Sequence, residues 1–556
     1  MIKKILNSQT KSISSASLIL AASYFLSAVL GLLRDRLLAG TFGAGNELDI
    51  YYTAFTVPDF IALILIFGAI GAAVIPIFSG YLIKDKDQAW KYLSVFLNVF
   101  LGFLIIICGV LIFLTPSIIS FIAPGFSGEK KEMAVLLMRI MFLSPIILGA
   151  SNMISGVLQV FHRFLITALA PLMYNVGIIT GILFFVPKMG LPGLAWGVVF
   201  GGVLHLAVQL PAFFISGFRY QFDFNYKNPG VVKTVKLMAP RSLGLGAGQL
   251  NTIATTAIAS TLMAGSIAVF NLANNLSSIF VNAIAVSIST AAFPSMSMNF
   301  IKDEGEEFLR KFSGILRQIL FLTIPASLLV LILRAQIVRV ILGAGNFGWA
   351  DTKLTTACLG ILALNLIAQA LILFLSKTFY AAHNTKIPAL ISAVTVAVNI
   401  ALSLFLVFAI KFSPDFSNFL KHIFRLGGTE NIGVVGLSLA YSITAVLESL
   451  FLLYLFYKKF LFKNNPKKRV REIFDSVSRI LIASVFMFAV AFSVRQILGS
   501  FISLQSFWGV FLQLAFSGVS GVAVFIFVSY LLKSPEQKTI VSSVIRFFNK
   551  SPAQPK

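Results

Sequence analysis

Guanidinium groups set among apolar residues are the chemistry that stands out in this sequence. Arg34, followed by Asp35 and Arg36, sits in the apolar stretch LSAVLGLLRDRLLAGTF. Arginine grips phosphate through two parallel hydrogen bonds and keeps its charge when buried. Arg34 therefore suits phosphate binding; it equally suits a snorkel to the membrane interface or a pair with Asp35 or Asp49. Arg241, just after Pro240 in another apolar stretch, is a second phosphate candidate or a cytoplasmic-interface snorkel. Asp49 is suited to cap or orient a neighbouring helix, or to touch a ligand. Gln249 adds uncharged polarity to the stretch that holds Arg241, and Asn274 and Asn275 add it to the next one. The candidate ligand-binding set is thus Arg34, Arg241, Asp49, Asn274, Asn275 and Gln249. Outside it, His205 reads as a helix-packing residue, Lys377 and Arg317 as snorkels, and Glu448 as a carboxylate suited to proton coupling.

No enzyme chemistry is expected. Four histidines, two cysteines inside apolar runs (Cys108 and Cys358) and scattered carboxylates form no metal cluster and no nucleophile–base pair. No cofactor is expected, and no site for a coupling cation stands out.

The elements that must carry these residues are membrane helices. Of the 556 residues, 58% are hydrophobic and 12% charged, against about a quarter charged in a soluble domain. Apolar runs near the roughly 20 residues needed to cross a bilayer recur along the chain, without the alternation of barrel strands. They fall at 14–40, 50–82, 91–115, 133–160, 165–187, 191–216, 234–262, 266–297, 312–341, 356–381, 387–410, 433–457, 474–497 and 507–532. The net charge of +24 resides mainly in alternate short loops, the densest being KKFLFKNNPKKRVR at 458–471. That alternation is an orientation signal, not a nucleic-acid surface, and it puts both termini in the cytoplasm with an even span count.

Punctuation repeats. FIAPGF (121–126) precedes a span, a basic turn and APLMYNVGI (170–178); ILGAGNF (341–347) precedes a span, the turn AAHNTK and PALISAVTVAVNI (388–400). PGLAWG (192–197) and VGLSLAYS (435–442) then open one further span each, and Asn175 and Asn399 take similar places. Spans four, five and six match ten, eleven and twelve, as in a parallel-repeat transporter. The expected fold is an all-α polytopic membrane protein of about fourteen transmembrane helices. It has two six-helix lobes, 1–225 and 226–460, plus a C-terminal helix pair and tail over 461–556.

The stretch LSAVLGLLRDRLLAGTFGAGNELDIYYTAFTVPDF (26–60) resembles the first two helices of the MurJ (MviN) family of lipid II flippases, in the multidrug/oligosaccharidyl-lipid/polysaccharide exporter superfamily. FIAPGF, HRFLITALAPLMYN (162–175), LAWG with GGVLHLAVQLP (194–211) and FYAAHNTKIP (379–388) extend the likeness over nearly the whole chain. The resemblance implies a cationic cavity between two lobes, a last helix pair that shelters a lipid tail, and alternating access. Its substrate would be the undecaprenyl-pyrophosphate-linked peptidoglycan precursor, moved from inner to outer leaflet of the bacterial cytoplasmic membrane for cell wall biogenesis and cell shape. Arg34 and Asp49 match the family's arginine and aspartate of the first two helices. Other family charges are absent: an arginine falls on Ala28, an arginine pair on Ala62 and Leu63, a glutamate on Phe67, and an Asp-Arg pair on Asn274 and Asn275. Arg241 stands where no family arginine is expected and partly replaces that charge.

The expected partners are the lipid-linked glycan precursor and membrane lipids, with no nucleic acid, and the protein is read as a monomer. The alternatives are a flippase for another lipid-linked oligosaccharide (O-unit or capsule type), a small-molecule antiporter of the same superfamily, and a non-transporting membrane scaffold.

Overall fold

The structure, a computed structural model, describes residues 13–67, 73–429, 432–461 and 466–549. Among them every regular element is helical and none is a strand. Without water to satisfy backbone N–H and C=O groups in hydrocarbon, a helix is the spanning form such apolar runs must take. Eleven helices of the described residues are long and apolar enough to cross a bilayer. Of the other three expected spans, 14–40 and 234–262 fall on helical stretches with some side chains outside the described residues, and 50–82 is helical up to 67 and from 73, with 68–72 outside the described residues. The chain is thus a polytopic all-α membrane protein.

Two compact units divide it: Met1–Ala268 with Ala344–Gly348, and Val269–Gly343 with Trp349–Lys556. In the first unit the helices are α1 (Ile13–Phe42), α2 (Asn46–Ile61), α3 (Ile75–Lys84), α4 (Lys86–Ile122), α5 (Gly128–Met141), α6 (Leu143–Val160), α7 (Phe164–Thr180), α8 (Leu191–Ala207), α9 (Leu210–Ile215) and α10 (Pro229–Ser260). A π-helical turn, Gly181–Phe185, prolongs α7.

Glycines set the packing of α7 on α8. Gly177 and Gly181 are four residues apart, as are Gly193, Gly197 and Gly201, so each set lines one face of its helix. A Cβ at Gly177 would fall 2.2 Å from the Cα of Gly201, and one at Gly181 2.4 Å from that of Gly197. The two backbones therefore touch, the small-residue contact that membrane helices use when no hydrophobic effect drives them together. His205 on α8 is buried, as expected of a packing residue: its ring lies 2.6 Å from the Ser151 hydroxyl of α6, and Gln209 donates to that hydroxyl at 2.8 Å.

The second unit continues with α11 (Ser266–Val281), whose first residues, to Ala268, belong to the first unit, and with α12 (Ser287–Ile301), α13 (Gly305–Ile341), α14 (Trp349–Ala381), α15 (Lys386–Phe412), α16 (Pro414–Ile423), α17 (Gly433–Phe456), α18 (Pro466–Phe501), α19 (Phe507–Leu531) and α20 (Pro535–Asn549). Its core is aromatic. The ring of Phe312 stacks on Phe456 with centroids 4.0 Å apart and on Phe374 at 5.4 Å. The α18–α19 pair packs on α13, where Gln336 donates to Gln513 at 3.0 Å. Arg317, expected as a snorkel, meets a carboxylate. It lies 3.6 Å from Glu536 of α20, whose carboxylate also accepts from Ser476 and Ser534, so it ties α20 down.

The helix triplets that carry the repeated punctuation pack in the same order. In each, the third helix lies against both others while the first and second scarcely meet: α8 on α6 and α7, and α17 on α14 and α15.

Candidate functional site

Arg34 lies on α1, where residues 13–42 run as one uninterrupted helix. Its Nε and Nη2 donate to Asp35 Oδ1 at 3.1 and 2.9 Å, and its Nη1 donates to Asn175 Oδ1 of α7 at 3.3 Å. Asn175 in turn donates to the Ser27 hydroxyl at 3.3 Å and to the Pro171 carbonyl at 3.2 Å, which fixes the face it turns to Arg34. A guanidinium has five N–H donors; three are used here, and the second hydrogens of Nη1 and Nη2 remain. The side chain keeps 24% of its surface open, against 6% for Asp35. Of the partners expected for Arg34, the structure selects Asp35 and not Asp49. Tyr51 and Tyr52 of α2 are close enough to interact with its charge, and Tyr174 of α7 shares that surround. The buried Tyr52 hydroxyl has no hydrogen-bond partner among the described residues. The arrangement is a held guanidinium with donors to spare and tyrosines within range of its charge, a surround that accepts an oxyanion while Asp35 moderates the charge.

Asp49 is placed differently. Its Oδ2 accepts from Gly265 N at 2.8 Å and its Oδ1 from Ala268 N at 3.0 Å, which caps the first turn of the helix that opens at Ser266. Lys130 pairs with it at 3.1 Å and also donates to Asn46. The structure thus gives Asp49 the capping role among those weighed for it. Three glycines of the same unit make close contacts with backbone. A Cβ at Gly265 (φ +88°) would fall 1.9 Å from the Ala44 carbonyl oxygen. Gly125 N donates to Ser260 Oγ at 3.1 Å, at the end of α10. Gly345 (φ +53°) sits against the end of α1, where Asn346 N donates to Gly40 O at 2.8 Å. The repeated Gly-Phe loops FIAPGF and GAGNF are therefore docking loops: each brings a glycine onto the last turn of a long helix, α10 for the first and α1 for the second. Positive φ and backbone contact both require glycine at 265 and 345.

None of these hydrogen bonds or ion pairs includes the other candidates. Gln249 is half-buried on α10, and the nearby Asn251 buries an Oδ1 with no partner among the described residues. Asn274 and Asn275 are half-buried on α11 and belong to the second unit; Asn275 carries interactions of its own. Arg241 lies on α10, but its side chain is outside the described residues, as is that of Phe67. No group of three metal-ligating side chains occurs among the described residues.

Sequence reasoning named Asn175 only as a repeat marker and missed Lys130 and the tyrosines. Asn175 is 141 residues from Arg34 and Lys130 is 81 from Asp49, so no local spacing links them. The adjacent aromatic pair Tyr51-Tyr52 beside Asp49 was the one local signal available.

The comparisons with known proteins fit this geometry. The family model of the lipid II flippase MurJ matches residues 38–414. A probable lipid II flippase MurJ of Buchnera aphidicola subsp. Acyrthosiphon pisum is 29% identical over 500 residues, 87% of this chain and 92% of the relative. That of Thermotoga maritima is 28% identical over 519 residues, 93% of this chain and 96% of the relative. A solved lipid II flippase MurJ in an inward closed conformation shares the fold, with a TM-score of 0.72 at 24% identity over 92% of this chain and 98% of that one. An inward-facing multidrug transporter of the MATE family and MOP superfamily aligns with a TM-score of 0.62 at 15% identity over 79% of this chain and 96% of its own. With the held arginine of α1, the capping aspartate of α2 and a model match that spans both units, the chain belongs to the lipid II flippase MurJ family.

Proposed function

We propose that this protein moves lipid II, the polyprenyl-pyrophosphate-linked peptidoglycan precursor, from the inner to the outer leaflet of the bacterial cytoplasmic membrane. The observation that carries this reading is family membership over most of the chain together with an intramembrane Arg34 that keeps free donors beside Asn175 and Tyr52. The diphosphate takes the open edge of the Arg34 guanidinium while the lipid tail stays in hydrocarbon. Arg241 adds the second positive charge, and Gln249, Asn274 and Asn275 supply neutral contacts to the sugar and peptide. Two six-helix lobes, 1–225 and 226–460, alternate access, the pair in 461–556 shelters the tail, fourteen spans leave both termini in the cytoplasm, and the protein acts as a monomer.

Asp49 serves the alternation and does not touch substrate. Its cap on the turn at Gly265–Ala268, with the glycine contacts at 125, 265 and 345, forms a latch that release at the outer leaflet must break. An inside-negative potential favours the return of a positively charged cavity by about 2.3 kcal/mol per charge per 100 mV.

One feature favours a second reading, a flippase for another lipid-linked oligosaccharide: Ala28, Ala62, Leu63, Asn274 and Asn275 stand where the family resemblance expects charge. Depletion of the protein in its host, with inner-leaflet lipid II measured by accessibility labelling, decides between them. Accumulated inner-leaflet lipid II that the wild type clears and Arg34→Ala does not supports lipid II transport. Normal lipid II export with a lost surface polysaccharide supports the second reading. Full rescue by Arg34→Ala points to a scaffold.

A further inference from the structure

A second group of arginines lies in the other unit, and the proposed transport path does not use it. Arg495 on α18 reaches the Ile332 carbonyl of α13, two residues from Arg334, and Arg425 in the turn after α16 is close enough for its charge to act on both. They come from three separate elements, so the fold itself assembles them. Arg495 is held in place: its Nη1 donates to the Ile332 carbonyl at 2.8 Å, and its guanidinium lies 4.9 Å from the Phe492 ring. Arg334 lies against α14 where Gly360 leaves room; a Cβ there would meet the arginine Cδ and Nη1 at 2.8 Å. Arg425 is exposed and has a left-handed backbone, φ +54°. Its turn is pinned to α14 by Lys353, which donates to the Gly427 carbonyl at 3.0 Å.

None of the ion pairs among the described residues includes any of these three arginines. Nor does any hydrogen bond among the described residues engage the guanidinium of Arg334 or Arg425. Three like charges with no counter-ion among the described residues repel one another, most strongly where the side chains are half-buried, as those of Arg334 and Arg495 are. A fold keeps such a group where an anion completes it. Lys353 and Arg339 both approach the ring of Trp349, at 5.9 and 5.8 Å. Trp349 is 63% exposed, and Trp508, at the start of α19, 67%. Exposed tryptophans mark the level of lipid headgroups on a membrane protein.

We infer that Arg334, Arg425 and Arg495 form a binding site for the phosphate of a membrane lipid, distinct from the Arg34 site. Guanidinium forks match phosphate oxygens in pairs, and basic pockets between membrane helices take up anionic headgroups. The phosphate comes either from an anionic phospholipid of the leaflet or from a polyprenyl pyrophosphate. The inference stands whether or not the protein transports lipid II.

Binding to the full-length protein in detergent micelles, followed by native mass spectrometry, tests it with three probes: phosphatidylglycerol, a polyprenyl pyrophosphate and phosphatidylcholine. The triple variant Arg334→Gln, Arg425→Gln, Arg495→Gln is expected to lose about tenfold or more in affinity for at least one of the two anionic lipids. Phosphatidylcholine binding stays unchanged. A fall for phosphatidylglycerol alone names the phospholipid as occupant, a fall for the pyrophosphate alone names the isoprenoid, and a fall for both says that the site reads phosphate whatever carries it. Arg425→Gln alone, at an exposed position that folding tolerates, is expected to lose about threefold. It decides the matter if the triple variant does not fold. Anionic-lipid affinities that match the wild type in the variants that fold overturn the inference.

Discussion

The α7–α8 contact of the first unit and the α15–α17 contact of the second descend from the same punctuation in the sequence, yet they are built from different materials. The first is backbone on backbone, Gly177 on Gly201 and Gly181 on Gly197, and the polar atom it carries, Asn175, looks outward to Arg34. The second is a polar seam: Asn399 donates to Thr444 at 2.9 Å, Ser403 to Asn399 at 3.2 Å and Ser392 to Glu448 at 2.7 Å. Its glycine, Gly436, meets the end of a side chain, Ile410 Cδ1 at 2.9 Å, and the nearest backbone atom, Leu406 C, stands off at 3.4 Å. One asparagine of the repeat is thus spent on a cation and the other on holding helices together. A repeat conserves helix order more strictly than it conserves what lies in the seam, so chemistry in one unit does not license the same chemistry in the other.

The largest effect expected from breaking that contrast is at Gly181. A leucine there has no room, since even a Cβ would lie 2.4 Å from the Gly197 backbone. Gly181→Leu is expected to destroy the α7–α8 contact and most of the folded yield, beyond the usual overpacking cost of about 1–3 kcal/mol. Gly436→Ala in the other seam pushes on a flexible methyl and is expected to cost about 1 kcal/mol or less. Fluorescence-detected size exclusion after heating compares the two; equal losses would show that the seams are not different in kind.

Arg34 comes next. Arg34→Ala is expected to lower lipid II transport on the order of tenfold or more with little change in thermal stability. Arg34→Lys keeps the charge but not the fork and should fall between. Asn175→Leu removes the acceptor that steadies Arg34 and is expected to cost less, on the order of threefold, because Asp35 still holds two N–H groups. Asn399→Leu, its counterpart in the repeat, should lower thermal stability and leave transport per folded molecule unchanged. Transport assays normalised to folded protein separate the two. If Asn399→Leu and Asn175→Leu reduce transport alike, the second seam is part of the path.

Most of the helical architecture was legible from the chain itself, because apolar runs of bilayer length have one stable backbone form and glycine and proline mark their ends. FIAPGF and GAGNF were readable as a repeat, but what they dock on was not: their partners Ser260 and Gly40 lie far off in sequence, and Gly40 is met through a backbone carbonyl that leaves no residue signature. The same limit applied to the candidate site. Arg34 was legible because an arginine in an apolar run is costly, whereas its sharing between Asp35 and Asn175 depends on how α1 meets α7. The partner of Arg317 was illegible for a related reason: a basic residue near a span end reads as a snorkel, and the carboxylate it meets, Glu536, lies far off in sequence. Arg334, Arg425 and Arg495 were individually unremarked because only the fold gathers them.

The smallest expected effect is at Glu448, and it sharpens the comparison most finely. Its carboxylate accepts one hydrogen bond from Ser392, and it forms no ion pair among the described residues. Glu448→Gln preserves an acceptor oxygen at the same place and removes only the ability to ionise. If the second seam is structural, this variant keeps stability within about 0.5 kcal/mol and keeps transport at any pH where the wild type is folded. Glu448→Ala, which strands the Ser392 hydroxyl, then costs about 1–3 kcal/mol. If instead transport by Glu448→Gln collapses while its stability holds, the carboxylate exchanges a proton during the cycle. The seam that looked like glue would then be the coupling element, and the division of labour between the two units would run opposite to the one drawn here.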